Sequence, residues 1–152
     1  MHRWRHVLVV AVISVLSATA IHGAEDGKAA FERREDTMKR MGRPFYLGIG
    51  RVVKGTAAYG PDTVTAAETV ASLASTLGRT LFRPGSDVDG SKINPEIFSA
   101  GEHVDQLIAA VQTATAALVP AVKTGDKAAI NAAYTAVANA CNACHTEFRK
   151  EE

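Results

Sequence analysis

The 152-residue chain is poor in chemistry-bearing side chains, with two cysteines, five histidines and an aromatic share of 6%. It also lacks the long β-branched alternation that strands require. Alanine is abundant instead, so the composition leans helical. No repeat or low-complexity tract interrupts the helical region, and nothing marks a second domain. The length suffices for one domain with a real hydrophobic core.

An excess of charge of one sign is missing too. Residues 1–23 read as a secretory leader. Arg3 and Arg5 form a positive start, Val7 to Leu16 is an uninterrupted apolar stretch, and Ala18-Thr19-Ala20 offers a small-residue cleavage site. A membrane anchor needs about 20 apolar residues, more than this stretch supplies. Cleavage between Ala20 and Ala24 is expected to release residues 24–152 as an exported, soluble domain. Without Arg3 and Arg5 the 17 basic residues fall to 15 against 16 acidic ones, a net charge near −1. That balance gives no field for nucleic acid or for an anionic membrane surface. His2 and His6 leave with the leader, and so does His22 if cleavage follows it. His103 and His145 are then the histidines of the domain. No acid–base pair or nucleophilic constellation appears, so enzymatic activity is not expected.

Four helical segments follow the leader. The first runs from about Gly27 to Lys54, with Phe31, Met38, Met41, Phe45, Ile49, Val52 and Val53 at three- and four-residue steps. Pro44 inside it predicts a kink, and Gly55 a stop. The second starts at Pro61 and continues to about Leu81. A loop dense in turn formers, Arg83 to Ser91, separates it from the third, for which Asn94 is the expected N-cap and Pro95 the first residue. That helix reaches about Lys123, Gly125 closes it, and Asp126 caps the fourth. Short turns and one longer loop predict an all-α, antiparallel four-helix bundle.

Both cysteines sit in the last helix, in Cys141-Asn142-Ala143-Cys144-His145. Residues three and four apart share a helix face, so the two thiols and His145 project together. Four chemistries compete for them. Zinc needs about four ligands, and no second Cys or His pair exists. A thioredoxin-type motif expects its thiols at a helix N-terminus beside a βαβ unit. A disulfide, or two inert buried cysteines, leaves His145 without a role, and a disulfide between neighbours on one face is strained. The spacing C-x-x-C-H is the signature of covalent haem attachment, in which two thiols take the porphyrin vinyl groups and the next residue offers its imidazole to iron.

The chain resembles the cytochrome c′ family, the class II cytochromes c. The resemblance is carried by the C-terminal Cys-x-x-Cys-His followed by Phe148-Arg149, by Arg34 to Gly42 in the first helix, and by Val52-Val53-Lys54-Gly55. It extends to the run from Leu81 to Asp87 leading into Asn94-Pro95-Glu96-Ile97-Phe98. It implies a periplasmic four-helix bundle holding one covalent haem c on Cys141 and Cys144, with His145 as proximal iron ligand. Arg34 would face a haem propionate, Phe82 would wall the pocket, and Arg149 would lie beside the proximal face. Glu35 stands where the family often has Gln, and Phe98 where it usually has Trp. The resemblance also implies a homodimer through the outer faces of the first two helices, which carry Tyr46, Val53 and Tyr59.

Met38 is the candidate distal ligand, with Met41 as fallback; His103, among acidic neighbours, reads as a surface residue. If the Met38 sulfur reaches iron, the haem is six-coordinate and low-spin, as in electron carriers, and the resemblance narrows to the c-556 subgroup with its Met-Lys-x-x-Gly run. If it stops short, the iron is five-coordinate and open to small gases. The leading expectation is a periplasmic one-electron carrier serving redox partner proteins. The alternative is a protein that binds nitric oxide and similar diatomic gases. A haem-free structural bundle is the third reading.

Overall fold

The structure, a computed structural model, describes residues 14–150, with side chains from residue 26 onward; the expected leader lies outside the residues whose side chains are described. The helices are α1 (Ser14–Arg43), α2 (Gly50–Val53), α3 (Pro61–Ala74), α4 (Gly101–Lys123) and α5 (Lys127–Phe148). A π-helical turn, Pro44–Ile49, joins α1 to α2 into one rod. That rod and α3, α4 and α5 form a four-helix bundle, with α1 against α3, α3 against α4, α4 against α5, and α2 closing onto α5.

Local chemistry accounts for the breaks. Pro44 has no N–H to give and its ring crowds the carbonyl four residues back, so the helical ladder resets. The Gly50 amide then bonds Phe45 O, five residues earlier. The expected kink is thus a wide turn, which keeps Phe45 and Ile49 in the core while Tyr46 and Leu47 face outward. Gly55 and Gly125 stand at the predicted helix ends with left-handed φ of 71° and 69°. Asp126 caps α5 through Ala129 N at 2.7 Å, as expected.

Three expected boundaries shift. α1 starts at Ser14 rather than near Gly27, reaching back into the expected leader. The second helix ends at Ala74 rather than near Leu81. The Ser75 and Thr76 hydroxyls donate to the carbonyls of Ser72 and Leu73, satisfying groups that another turn would have used. Leu77 and Leu81 remain buried in the irregular chain beyond. The Asn94 cap also holds less than predicted. Asn94 Oδ1 accepts from Glu96 N, but the turn it starts is a 3₁₀ turn, Pro95–Phe98, and α4 begins at Gly101. Gly101, at φ 48°, re-aims the chain between the two.

The main core stacks Ile49, Val70, Leu118, Val122 and Val137 between the rods, each less than 2% exposed. Burial of such side chains stabilises by roughly 1.5–3 kcal/mol apiece. A smaller cluster, Ile93, Ile97, Val104 and Phe148, packs against Phe82 and Cys144. α4 is the described helix long and apolar enough to cross a membrane by composition; here Val104, Val111, Thr115, Leu118 and Val122 are its buried stripe.

Candidate functional site

A cavity of about 420 Å³ opens where the two clusters meet, a size in the usual range for cofactor sites, roughly 300–1,000 Å³. From α5 it takes Cys141, Cys144 and His145, all half-buried, while Asn142 and Ala143 between them are exposed. From α1 it takes Arg34, Glu35, Met38 and Met41. Phe82 comes from the chain after α3, and Phe148 and Arg149 from the end of α5. Residues from both ends of the chain, chosen on sequence alone, therefore line one space.

Burial tunes the reactive groups. Both cysteines are free thiols. Their pKa values rise because burial disfavours the thiolate, and for Cys144 the charge of Glu147 and then Cys141 adds to the rise. The thiols therefore stay protonated at neutral pH. His145 moves the other way: burial, and secondarily the Arg149 cation, hold its pKa below the ordinary value. Its imidazole is neutral near pH 7 and keeps a lone pair for a metal.

Arg34 is 7% exposed and its guanidinium makes four hydrogen bonds. Its Nη1 donates to Leu81 O at 2.7 Å and Ser86 Oγ at 2.9 Å. Its Nη2 donates to Ser86 O at 2.8 Å and Ser91 Oγ at 3.0 Å. Four of the five guanidinium protons thus go to the 81–91 loop, leaving Nε–H for any carboxylate. The Phe31 and Phe82 rings flank the cation at 5.7 and 5.9 Å. Burial lowers the Arg34 pKa, against raising contributions from Glu35 and Asp87. Asp26 reaches Arg83 at 3.5 Å, and Gly27 packs so closely on Gly85 that a Cβ would collide with its carbonyl.

The same loop continues into the chain beside the end of α5. Ile93 and Arg149 form an antiparallel bridge, with Asn94 N donating to Phe148 O and Lys150 N to Lys92 O, both at 2.8 Å. Sequence reasoning missed Ser86 and Ser91, which are ordinary turn formers until a buried cation reaches them. It placed Tyr46 on an outer face; the residue is 55% exposed yet lines the cavity, edge-on to Phe45 at 5.1 Å. Tyr59 is anchored within its own chain, its hydroxyl donating to Val122 O at 2.9 Å. His103 is exposed, as expected, and lies 2.8 Å from Glu147.

Two thiols and a neutral imidazole on one wall of an apolar cavity, inside a four-helix bundle, define a c-type haem protein. The chain belongs to the cytochrome c′ family, whose profile matches residues 29–149. The solved structures agree. A ferrous variant of cytochrome c prime from Alcaligenes xylosoxidans with bound NO is 28% identical, with a TM-score of 0.73 over 83% of this chain and 97% of that one. A carbon-monoxide-bound variant of the same protein is 29% identical, TM-score 0.72, covering 82% and 97%. Cytochrome c′ from Thermochromatium tepidum is 29% identical, TM-score 0.75, with the same coverage. No curated protein matches the chain by sequence. The cofactor is covalent haem c, as in the family, and the donor set fits it: two thiols a helical turn apart, an unprotonated imidazole and an apolar chamber.

Proposed function

We propose that Cys141 and Cys144 hold the haem through thioethers, that His145 is its proximal ligand, and that the protein binds nitric oxide or a similar diatomic gas in the periplasm. The observation that carries this is one cavity lined by the thiols and imidazole of α5 and by Met38 and Met41 of α1. Bound haem supplies an iron centre with a one-electron couple and room for an axial ligand.

This chain's residues do the rest. The protonated thiols resist premature oxidation until vinyl groups are presented. The neutral His145 needs no proton loss before it ligates iron. Phe45, Phe82 and Phe148 keep the chamber apolar, which favours an uncharged gas over anions. The NO and CO complexes of the relatives support the gas-binding reading over the electron carrier expected from sequence.

The second reading keeps a specific observation: the Met38 side chain is half-buried and lines the same cavity as His145, so its thioether would be available as a second iron ligand. The visible spectrum of the reduced holoprotein separates the two. A broad merged band, converted stoichiometrically by nitric oxide, supports gas binding. Sharp α and β bands unaffected by the gas overturn it in favour of a His/Met electron carrier. Replacing His145 with alanine must change the bands in either case.

A further inference from the structure

The backbone of the turn that carries His145 is held from outside α5. Arg149 N donates to the carbonyl of His145 itself at 3.0 Å, the last bond of α5. Arg149 is in turn the bridge partner of Ile93. Ile93 N donates to Ser91 Oγ at 3.3 Å, and the same oxygen accepts from Arg34 Nη2 at 3.0 Å. Ser91 is buried, at 8% exposed, and does not line the cavity. Its one hydroxyl therefore joins a cation on α1 to the backbone that terminates the haem-ligating turn of α5.

We propose that Ser91 is a positioning residue for the haem ligand His145, relaying the grip of Arg34 on the 81–91 loop through Ile93 to Arg149. The proposal rests on His145 being the iron ligand. Its physical content is a restraint on the last turn of a helix. Such turns fray because their carbonyls lack partners further along the chain. Here the bonds from Asn94 N and Lys150 N flank Arg149 and pin the turn from outside. Without the Ser91 oxygen, the Ile93 amide and Arg34 Nη2 each lose an acceptor in a buried setting, and the bridge becomes the weakest point of the path. The direction in which His145 presents its ring then spreads over more orientations.

The test uses the holoprotein of Ser91→Ala, with Ser91→Thr as the variant that keeps a hydroxyl. Two readouts are needed: amide hydrogen exchange at Asn94 and Lys150, and the iron–histidine stretching band of the ferrous protein by resonance Raman. The alanine variant is expected to exchange these amides roughly five- to tenfold faster, the effect of one buried hydrogen bond, and to shift or broaden the stretching band. The threonine variant is expected to restore both. If the alanine variant does not fold, Arg34→Lys carries the same expectation, because one ammonium cannot span four acceptors and keeps the charge. Faster exchange with an unmoved stretching band overturns the proposal by reducing Ser91 to a loop staple, and unchanged exchange overturns it outright. Visible bands of the holoprotein left untouched by His145→Ala would instead remove the ligand assignment beneath it, an outcome distinct from either.

Discussion

Replacing Arg34 with methionine tests how much of this bundle depends on one buried cation. The substitution keeps an unbranched apolar stem between Phe31 and Phe82. It deletes the four bonds to Leu81, Ser86 and Ser91. Buried hydrogen bonds contribute a net of about 1 kcal/mol each, more when the donor is charged. Four of them set a ceiling above about 4 kcal/mol. Two corrections apply. Burying a guanidinium without a direct carboxylate partner is costly, as its lowered pKa shows, and methionine removes that cost. Against this, Ser86 is wholly buried and its hydroxyl and carbonyl would be left without their donor. A net destabilisation of about 3 kcal/mol results, which lowers the melting temperature of a chain this size by roughly 6–12 °C. The assay is thermal unfolding of the holoprotein by far-ultraviolet circular dichroism. Arg33→Met, on the exposed neighbour, is the control for lost surface charge. If Arg34→Met melts within about 2 °C of Arg33→Met, the four bonds contribute nothing net and the reasoning fails.

Leu118→Ala, at a site with no solvent exposure, should cost about 3 kcal/mol and lower the urea midpoint without changing its slope. Gly27→Ala would drive a methyl into the Gly85 carbonyl, so about 1–3 kcal/mol should be lost and the Asp26–Arg83 contact opened, visible as protease sensitivity between Arg83 and Ser91. The lowered pKa of His145 makes the haem-free chain pH-sensitive in a defined direction. As pH falls the unfolded chain takes up the proton first, so stability is full above about pH 6.5 and declines below it. Urea midpoints on either side of that value should differ in this sense, and His145→Gln should flatten the difference.

The helical architecture was largely legible because its signals are local. Apolar steps of three and four, Asp126 before α5 and glycines at the helix ends act within a turn or two of chain. The boundary misses have the same origin. Leu77 and Leu81 carry buried apolar side chains whether or not the backbone beneath them is α-helical, so periodicity overran the helix end at Ala74, while the Asn94-Pro95 start signal is satisfied by a 3₁₀ turn and α4 begins only at Gly101. Pro44 announced a break, but the choice of a π-helical turn over a simple bend depended on which residues the neighbouring rods would accept. The stacking of Phe45 on Tyr134, 4.4 Å between centroids and 11° between planes, is one such constraint.

The C-x-x-C-H run needed only its own helix to align two thiols and an imidazole, because i, i+3 and i+4 share a face in any α-helix. Its sequence therefore determined the cofactor chemistry by itself. The hold on that chemistry was decided elsewhere. Arg34 and Ser91 are 57 positions apart, and no local preference pairs an arginine with two serines of a turn-rich loop. Only the packing of α1 against that loop excludes the water that would otherwise satisfy the guanidinium, and exclusion of water is what converts an ordinary surface cation into the residue that organises the far wall of the haem site.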